Sequence, residues 1–403
     1  MATTFLYKVR DGKGNLINGQ IDGDGATMVA GKLRQMGYIV IDLKEKSLAQ
    51  KDITLPFSNR VKTKDVTIFS RQFATMVGAG LSLTRCLAVL EEQTQNKALK
   101  DIIGEVLQDV EQGKALSDAM AKHPKAFPPI YINLVRAGET GGVLDTVLNR
   151  VAEHFEKESS IKGKIKSAMA YPTAMFFFSI LITFVLITFV VPVFVSMFAS
   201  FGGDLPLPTK ILLGTSSFIR RYWFILAPVL FGLSYGLKYY AGTDDGRARL
   251  DKLKLNLPIF GGLVQKMAVS RFSRTLGTLM ASGVPILQAL DIVADSSGNT
   301  VIAGAVKNAR TSIKEGETIS KPLSEDKVFP PMVVQMIAVG EETGALDSML
   351  SKIADFYDDE VASMVDALTS IIEPVMILVM GGIIGGIIIS LYMPMFKVIS
   401  LIK

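Results

Sequence analysis

The sequence predicts a mainly α-helical integral membrane protein, with a small N-terminal α+β module, two tandem six-helix cytosolic bundles and three transmembrane helices. Three observations predict it. Of 403 residues, 49% are hydrophobic and the mean hydropathy is +0.36, high for a chain surrounded by water. Two apolar runs exceed twenty residues without a charged side chain, Pro172 to Ser196 and Pro374 to Phe396; at 1.5 Å per helical residue, each crosses roughly 30 Å of hydrocarbon. The chain also repeats itself at a spacing of 202 to 203 residues, too long for a solenoid and suited to a duplicated domain.

Residues 1–45 form the first element. FLYKVR and LINGQI flank the turn-rich DGKGN as a hairpin, followed by a helix from about Ala26 to Met36, then Gly37 and the strand-like YIVIDL. Met1 to Gly14 has no apolar core of the kind a signal peptide requires, which places the N-terminus in the cytosol. Residues 46–62 read as a linker. The first bundle covers 63–170, where breaks at Gly78 to Gly80, Asn96, Gly113, His123 to Pro129 and Gly138 mark off six helices. In the last of these, Val143, Leu144, Val147, Leu148, Val151 and Phe155 recur at three- and four-residue steps and give one apolar stripe. Transmembrane helix 1 is assigned to 171–196 and an external loop to 197–219. Transmembrane helix 2, at 220–240, has the short apolar core Tyr222 to Leu237 between Arg221 and Lys238, which spans if those side chains snorkel. The second bundle covers 241–372, transmembrane helix 3 covers 373–396, and 397–403 is an external tail.

The repeat decides the crossing count. Phe69, Ser70 and Arg71 return as Phe272, Ser273 and Arg274; Phe127-Pro128-Pro129 returns as Phe329-Pro330-Pro331; GETGGVLD at 138–145 returns as GEETGALD at 340–347. Pro172 and Pro192 map onto Pro374 and Pro394, so each copy is a polar helical unit followed by a span. Two copies of one polar unit belong in one solvent compartment, so an even number of crossings separates them and the Tyr222 helix must span. Basic residues agree. Lys157, Lys162, Lys164, Lys166, Lys238, Arg247, Arg249, Lys252 and Lys254 fall on the inner side, against Lys210, Arg220 and Arg221 outside.

Several chemistries are excluded. The net charge is +5, but 43 basic residues are offset by 38 acidic ones along the whole chain, and there is no basic stripe with interleaved aromatics for nucleic acid. Gly113-Lys114-Ala115 lacks the hydroxyl and upstream glycine of a phosphate-binding loop. His123 and His154 are the two histidines, without a metal-ligand pattern, and are expected in structural roles. Asp22-Gly23-Asp24-Gly25 lacks the later ligands of a calcium loop. Cys86, the one cysteine, reads as a small buried apolar residue. No cofactor is expected, and the chain is not expected to be an enzyme. A small-molecule transporter with a parallel repeat should carry polar groups at mid-span, and the spans hold no ionisable side chain in their interiors.

FSRQFATMVGAGLSL, FPPIYINLVRAGETGGVLD and AMAYPTAM in the first half, with FSRTLGTLMASGVPILQAL, FPPMVVQMIAVGEETGALD and Glu373-Pro374 in the second, resemble the PilC/GspF family over essentially the whole chain. The order and duplication of these motifs carry the resemblance. It implies an oligomeric platform in a bacterial inner membrane, for type IV pilus assembly or, as the alternative, for type II secretion. Its implied partners are a cytosolic hexameric assembly or retraction ATPase, pilins or pseudopilins, inner-membrane alignment proteins of the same machine, and the lipid bilayer.

Candidate residues follow from the repeated motifs. In GExxGxLD, Gly138 and Gly340 are expected to end one helix, and Asp145 and Asp347 to sit in the first turn of the next, where a negative charge suits the helix dipole. The acids Glu139, Asp145, Glu341 and Asp347 are expected to hold that turn in both units; a surface read by the ATPase, or a cation site between the units, are alternative uses. Gly381, Gly382, Gly385 and Gly386 make two overlapping GxxxG patterns that allow close helix approach, within a protomer or between protomers. Tyr171-Pro172 and Glu373-Pro374 sit at equivalent membrane thresholds, as interfacial anchors or as contacts for a pilin or neighbouring helix.

Overall fold

The computed structural model describes residues 3–10, 16–23, 25–45, 60–194, 206–258 and 260–401. The chain divides into Met1–Arg60 and Val61–Lys403.

In the first unit, β1 (Thr3–Arg10) pairs antiparallel with β2 (Leu16–Gly23) and with β3 (Ile39–Glu45), giving the sheet order β2-β1-β3. A register shift at Lys8/Val9 interrupts the β1–β3 ladder. The helix α1 (Ala26–Gln35) buries Val29 and Leu33, one turn apart on one face, with Val9. The DGKGN turn, Asp24 of the DGDG segment and most of the expected linker lie outside the described residues.

The second unit opens with six helices: α2 (Thr63–Gly78), α3 (Leu83–Gln93), α4 (Lys97–Glu111), α5 (Leu116–Ala121), α6 (Pro129–Gly141) and α7 (Leu144–Ala168). The apolar stripe of α7 lies against α2 and α6. An aromatic chain fills the core, with Phe69 to Phe127 at 5.7 Å, Phe127 to Tyr131 at 5.1 Å and Tyr131 to Phe155 at 5.6 Å between ring centroids. Cys86 is buried in the same core. Pro129 occupies the first position of α6, where its missing N–H has no partner to lose.

The second copy repeats this order as α11 (Phe260–Ala281), α12 (Ile286–Ser296), α13 (Thr300–Lys314), α14 (Ser320–Glu325), α15 (Pro331–Thr343) and α16 (Leu346–Leu401). Phe272 meets Phe329 at 5.0 Å, as Phe69 meets Phe127. One helix precedes the copy without a counterpart in the first: α10 (Asp244–Asn256), capped by the Thr243 hydroxyl, which accepts from the Gly246 amide at 3.2 Å. Its buried Asp251 accepts from the Thr300 amide at 3.1 Å and so caps α13.

Long apolar helices leave both bundles. The first runs on as α8 (Ala170–Val185), and helical structure continues through one π turn (Leu186–Val190) to residue 194. The last, α16, is a single helix of 56 residues, about 84 Å long, so bundle and span are one rod. Both are long and apolar enough to cross a membrane. Two expectations are corrected. Residues 207–219, assigned to an external loop, are helical, because after Pro206-Leu207-Pro208 start the helix α9 (Leu207–Ala241) no residue stops it before Gly242. Residues 397–401 of the expected tail are likewise helical, continuing α16 through a segment without Gly or Pro. Leu212, Leu213 and Ile219 of α9 pack against Ile187, Val191, Ile387 and Leu391. The Ser216 hydroxyl donates to the Ile187 carbonyl inside the π turn at 2.6 Å, and Thr209 donates to the Ser390 carbonyl at 2.5 Å. In the register of the π turn the Ile187 carbonyl faces Pro192, which has no N–H, and Ser216 supplies a donor in its place.

Candidate functional site

The duplicated GExxGxLD segments fold identically. Gly138 and Gly340 do not end their helices: both lie inside, one turn before Gly142 (φ 68°) and Gly344 (φ 70°), whose left-handed backbone stops α6 and α15. Their smallness has another cause. A Cβ on Gly138 would stand 3.0 Å from the Val147 Cβ and 3.2 Å from the Leu144 Cα, and one on Gly340 would stand 3.0 Å from the Leu346 Cα. The glycine lets the fifth helix of each bundle lie directly on the sixth.

The neighbouring glutamate turns back into its own bundle. Glu139 accepts the Leu116 amide at 2.5 Å and the Ser117 amide at 3.0 Å, and Glu341 accepts the Ile319 amide at 2.5 Å and the Ser320 amide at 3.1 Å. Each carboxylate thus satisfies two free N–H groups at the start of the short fifth-helix partner, α5 or α14, with charge suited to that helix end. Asp145 and Asp347 sit in the first turns of α7 and α16. Both are exposed, and neither takes part in the capping of the short helix. The four acids do not converge on one point, and among the described residues no group of three or more potential ligands could hold a metal.

A second duplicated contact ties the first helix of each bundle to the sixth. Arg71 grips Glu156 with two hydrogen bonds of 2.6 Å, which hold the Glu156 carboxyl below its ordinary pKa. The repeat mate Arg274 bonds Asp358, and also Asp355 at 3.0 Å.

Where the two bundles meet, α7 lies along α11 and α16. Two cavities of about 770 and 310 Å3 flank the contact; His154 and Arg274 line both. The larger also takes Arg150, Lys157, Asp347 and Asp355, a mixed set of charges that selects no single ligand. His154 is buried, its Nδ1 has no hydrogen-bond partner among the described residues, and burial pushes its pKa down to about 4. The histidine is thus neutral at ordinary pH and serves as packing between the bundles.

At the threshold of the apolar helices, Tyr171, Pro172, Ile372 and Glu373 line one crevice. The repeat mates Tyr171 and Glu373 therefore sit side by side. Pro374 is exposed on the same turn of α16. Around Gly381, Gly382, Gly385 and Gly386, an added Cβ would meet nothing within 4 Å. The stripe is open rather than packed against another helix of the same protomer.

The family model for type II secretion system protein F matches residues 69–192 and again 272–394, and the model for its N-terminal domain matches residues 1–44. The chain belongs to this family. Both matches of the protein F model begin in the first helix of a bundle and end in the apolar helix that leaves it, so the family's repeating unit includes its span. Family members of two kinds are similar over nearly the full length. Type IV pilus assembly protein PilC of Myxococcus xanthus is 43% identical over 99% of this chain and 96% of its own, and that of Thermus thermophilus is 44% identical over 98% of each. Type II secretion system protein F of Vibrio cholerae is 31% identical over 99% of both chains.

Sequence reasoning named Glu139 and Glu341 but missed what they hold. It marked Arg71 and Arg274 only as residues returned by the repeat and did not name Glu156 and Asp358, although all four are visible as charged positions preserved across the duplication.

Proposed function

We propose that the chain is the inner-membrane platform of a type IV pilus machine, passing motion from a cytosolic hexameric ATPase to pilin subunits entering the filament. The observation that carries this reading is the similarity of more than 40% to two pilus assembly proteins over the length of both chains, against 31% for the secretion protein F. Type II secretion remains the second reading, since that relative also aligns end to end.

The architecture suits a platform. Rod-like helices join each bundle directly to an apolar segment, so a displacement of a bundle by a partner is delivered to the bilayer without an intervening flexible joint. In this reading the protein crosses the membrane three times, with the N-terminal α+β module, both bundles and the N-terminus in the cytosol. The duplicated bundles support an even number of crossings between them. The helix α9 supports the middle crossing: its 35 residues extend about 52 Å, and Trp223, Phe224, Phe231, Leu233 and Leu237 project from its unpacked half. Exposed apolar side chains of that size suit lipid or another apolar helix. Tyr171 and Glu373 are assigned as anchors at the cytosolic threshold.

Deleting the gene and restoring it from a plasmid tests the assignment. Loss of surface filaments with protein secretion intact is the expected result; intact filaments with lost secretion would transfer the assignment to the second reading.

A further inference from the structure

The contact between the two bundles is one-sided with respect to the repeat. The first bundle contributes α6 and α7, and the second contributes α11, α12 and the start of α16. Gln288 of α12 donates to the Asn133 side chain of α6 at 3.0 Å, and Arg150 of α7 donates to Ser282 at the end of α11 at 3.3 Å. A two-fold contact would also lay α15 and α16 on α2 and α3, and among the described residues no contact of comparable extent joins them. Each bundle therefore has two different faces, one on its fifth and sixth helices and one on its first and second together with another side of the sixth. The chain joins the former of bundle one to the latter of bundle two and leaves the remaining two faces open.

Exposure at repeat-equivalent positions identifies those open faces as the same kind of surface. Ile130 is 4% exposed and its mate Met332 is 40%; His154 is 9% exposed and its mate Phe356 is 47%. On the complementary face Val284 is 4% exposed and its mate Leu81 is 46%, while Ile68, 47% exposed, stands where the second bundle has Arg271. At three of these four positions the outward mate is as large as the covered one or larger, and all four outward residues are apolar, a pattern expected of a surface that is covered in the assembled protein. The polar pair also keeps its sense. Asn133, the acceptor, corresponds to Gln335, and Gln288, the donor, corresponds to Arg85. Tyr171 and its mate Glu373 line one crevice, so the two copies reach their apolar helices at the same level.

We propose that a second copy of this chain docks on the open α15–α16 face through the α2–α3 face of its own first bundle, repeating the intramolecular contact head to tail. Three polar contacts of the rim differ. The intramolecular Lys157–Asp355 pair, at 3.8 Å, corresponds to Asp359 opposite Glu153, the Arg271–Glu158 pair, at 4.0 Å, to Ile68 opposite Glu360, and the Arg150–Ser282 bond to Lys352 opposite Ala79, so the contact between copies is weaker than the one within a chain.

The test uses the full-length protein in native membranes, with Arg85→Cys and Gln335→Cys, both exposed positions, treated with a short bis-maleimide. The expected result is a cross-linked dimer and a ladder above it from the doubly substituted chain, a dimer from the two single variants co-expressed, and none from either alone. Absence of a dimer from the double variant, or an equal yield from one single variant, overturns the proposal. Asp359→Lys, which removes the repulsion, provides an independent reading: the oligomeric fraction in detergent should rise severalfold, and an unchanged or smaller fraction would contradict the head-to-tail contact.

Discussion

Replacing Glu139 by alanine removes the carboxylate that receives the Leu116 and Ser117 amides, and those N–H groups have no helical partner at the start of α5. A hydrogen bond to a charged group contributes about 1.5–3 kcal/mol net. Glu139 is half-buried, so water replaces part of what is lost, and the pair of bonds together is placed at about 2–4 kcal/mol. For a bundle of this size that corresponds to a fall in Tm of roughly 10–20 °C. Glu139→Gln retains one acceptor oxygen and should lose about half as much. The sharper assay is amide hydrogen exchange on the full-length protein: Glu139→Ala should unprotect Leu116 and Ser117 while leaving Ile319 and Ser320 protected, and Glu341→Ala should do the reverse. Unchanged protection at Leu116 and Ser117 in Glu139→Ala would refute the capping role.

Three further outcomes are expected. His154 has an ordinary pKa of 6.5 and a folded value of about 4; its contribution is therefore fully present above pH 6.5 and is lost as pH falls toward 4, a change of about 3 kcal/mol, and His154→Phe, which copies Phe356 of the second repeat, should flatten a melting curve series between those pH values. Gly340→Ala forces a Cβ to 3.0 Å from the Leu346 backbone and should destabilise by about 1–3 kcal/mol, whereas Gly78→Ala, with open space around it, should leave the unfolding midpoint in denaturant unchanged or higher. Gly385→Leu fills open space and should leave the protomer's Tm unaltered while lowering the oligomer mass measured in detergent; an unchanged mass would assign that stripe to lipid.

Much of the bundle architecture was legible because the duplication doubles every signal. Six-helix punctuation, the apolar stripe of α7 and the apolar runs of α8 and α16 each follow from spacing alone. The places where reasoning from sequence failed share a cause. A glycine in a helical pattern can mark a stop or a close approach, and at Gly138 the pattern was read as a stop; the adjoining Gly141-Gly142 pair was the better signal, since only the left-handed Gly142 ends α6. The helix α10 has a charged sequence with little apolar periodicity and is held by tertiary contacts, among them Asp251 on the end of α13, which no local window contains. Residues 207–219 looked like a loop because Lys210, Thr215, Ser216 and Ser217 interrupt the apolar run. Two of the hydroxyls nearby turn out to bond carbonyls of the neighbouring apolar helices, so polarity there reflects helix–helix contact rather than solvent. The capping by Glu139 lay beyond sequence reasoning for the same reason: its partners are more than twenty positions away.

Placing both copies of the helical unit on one side of the bilayer is the claim from which crossing count, partner access and the platform reading all descend. Compartment-specific reporters inserted in the full-length chain beside Ser117 and beside Ser320 measure it directly. Cytosolic signals from both insertions are predicted; a cytosolic signal at Ser117 with an external one at Ser320 would contradict the account, because α9 would then fail to return the chain to the side from which it left.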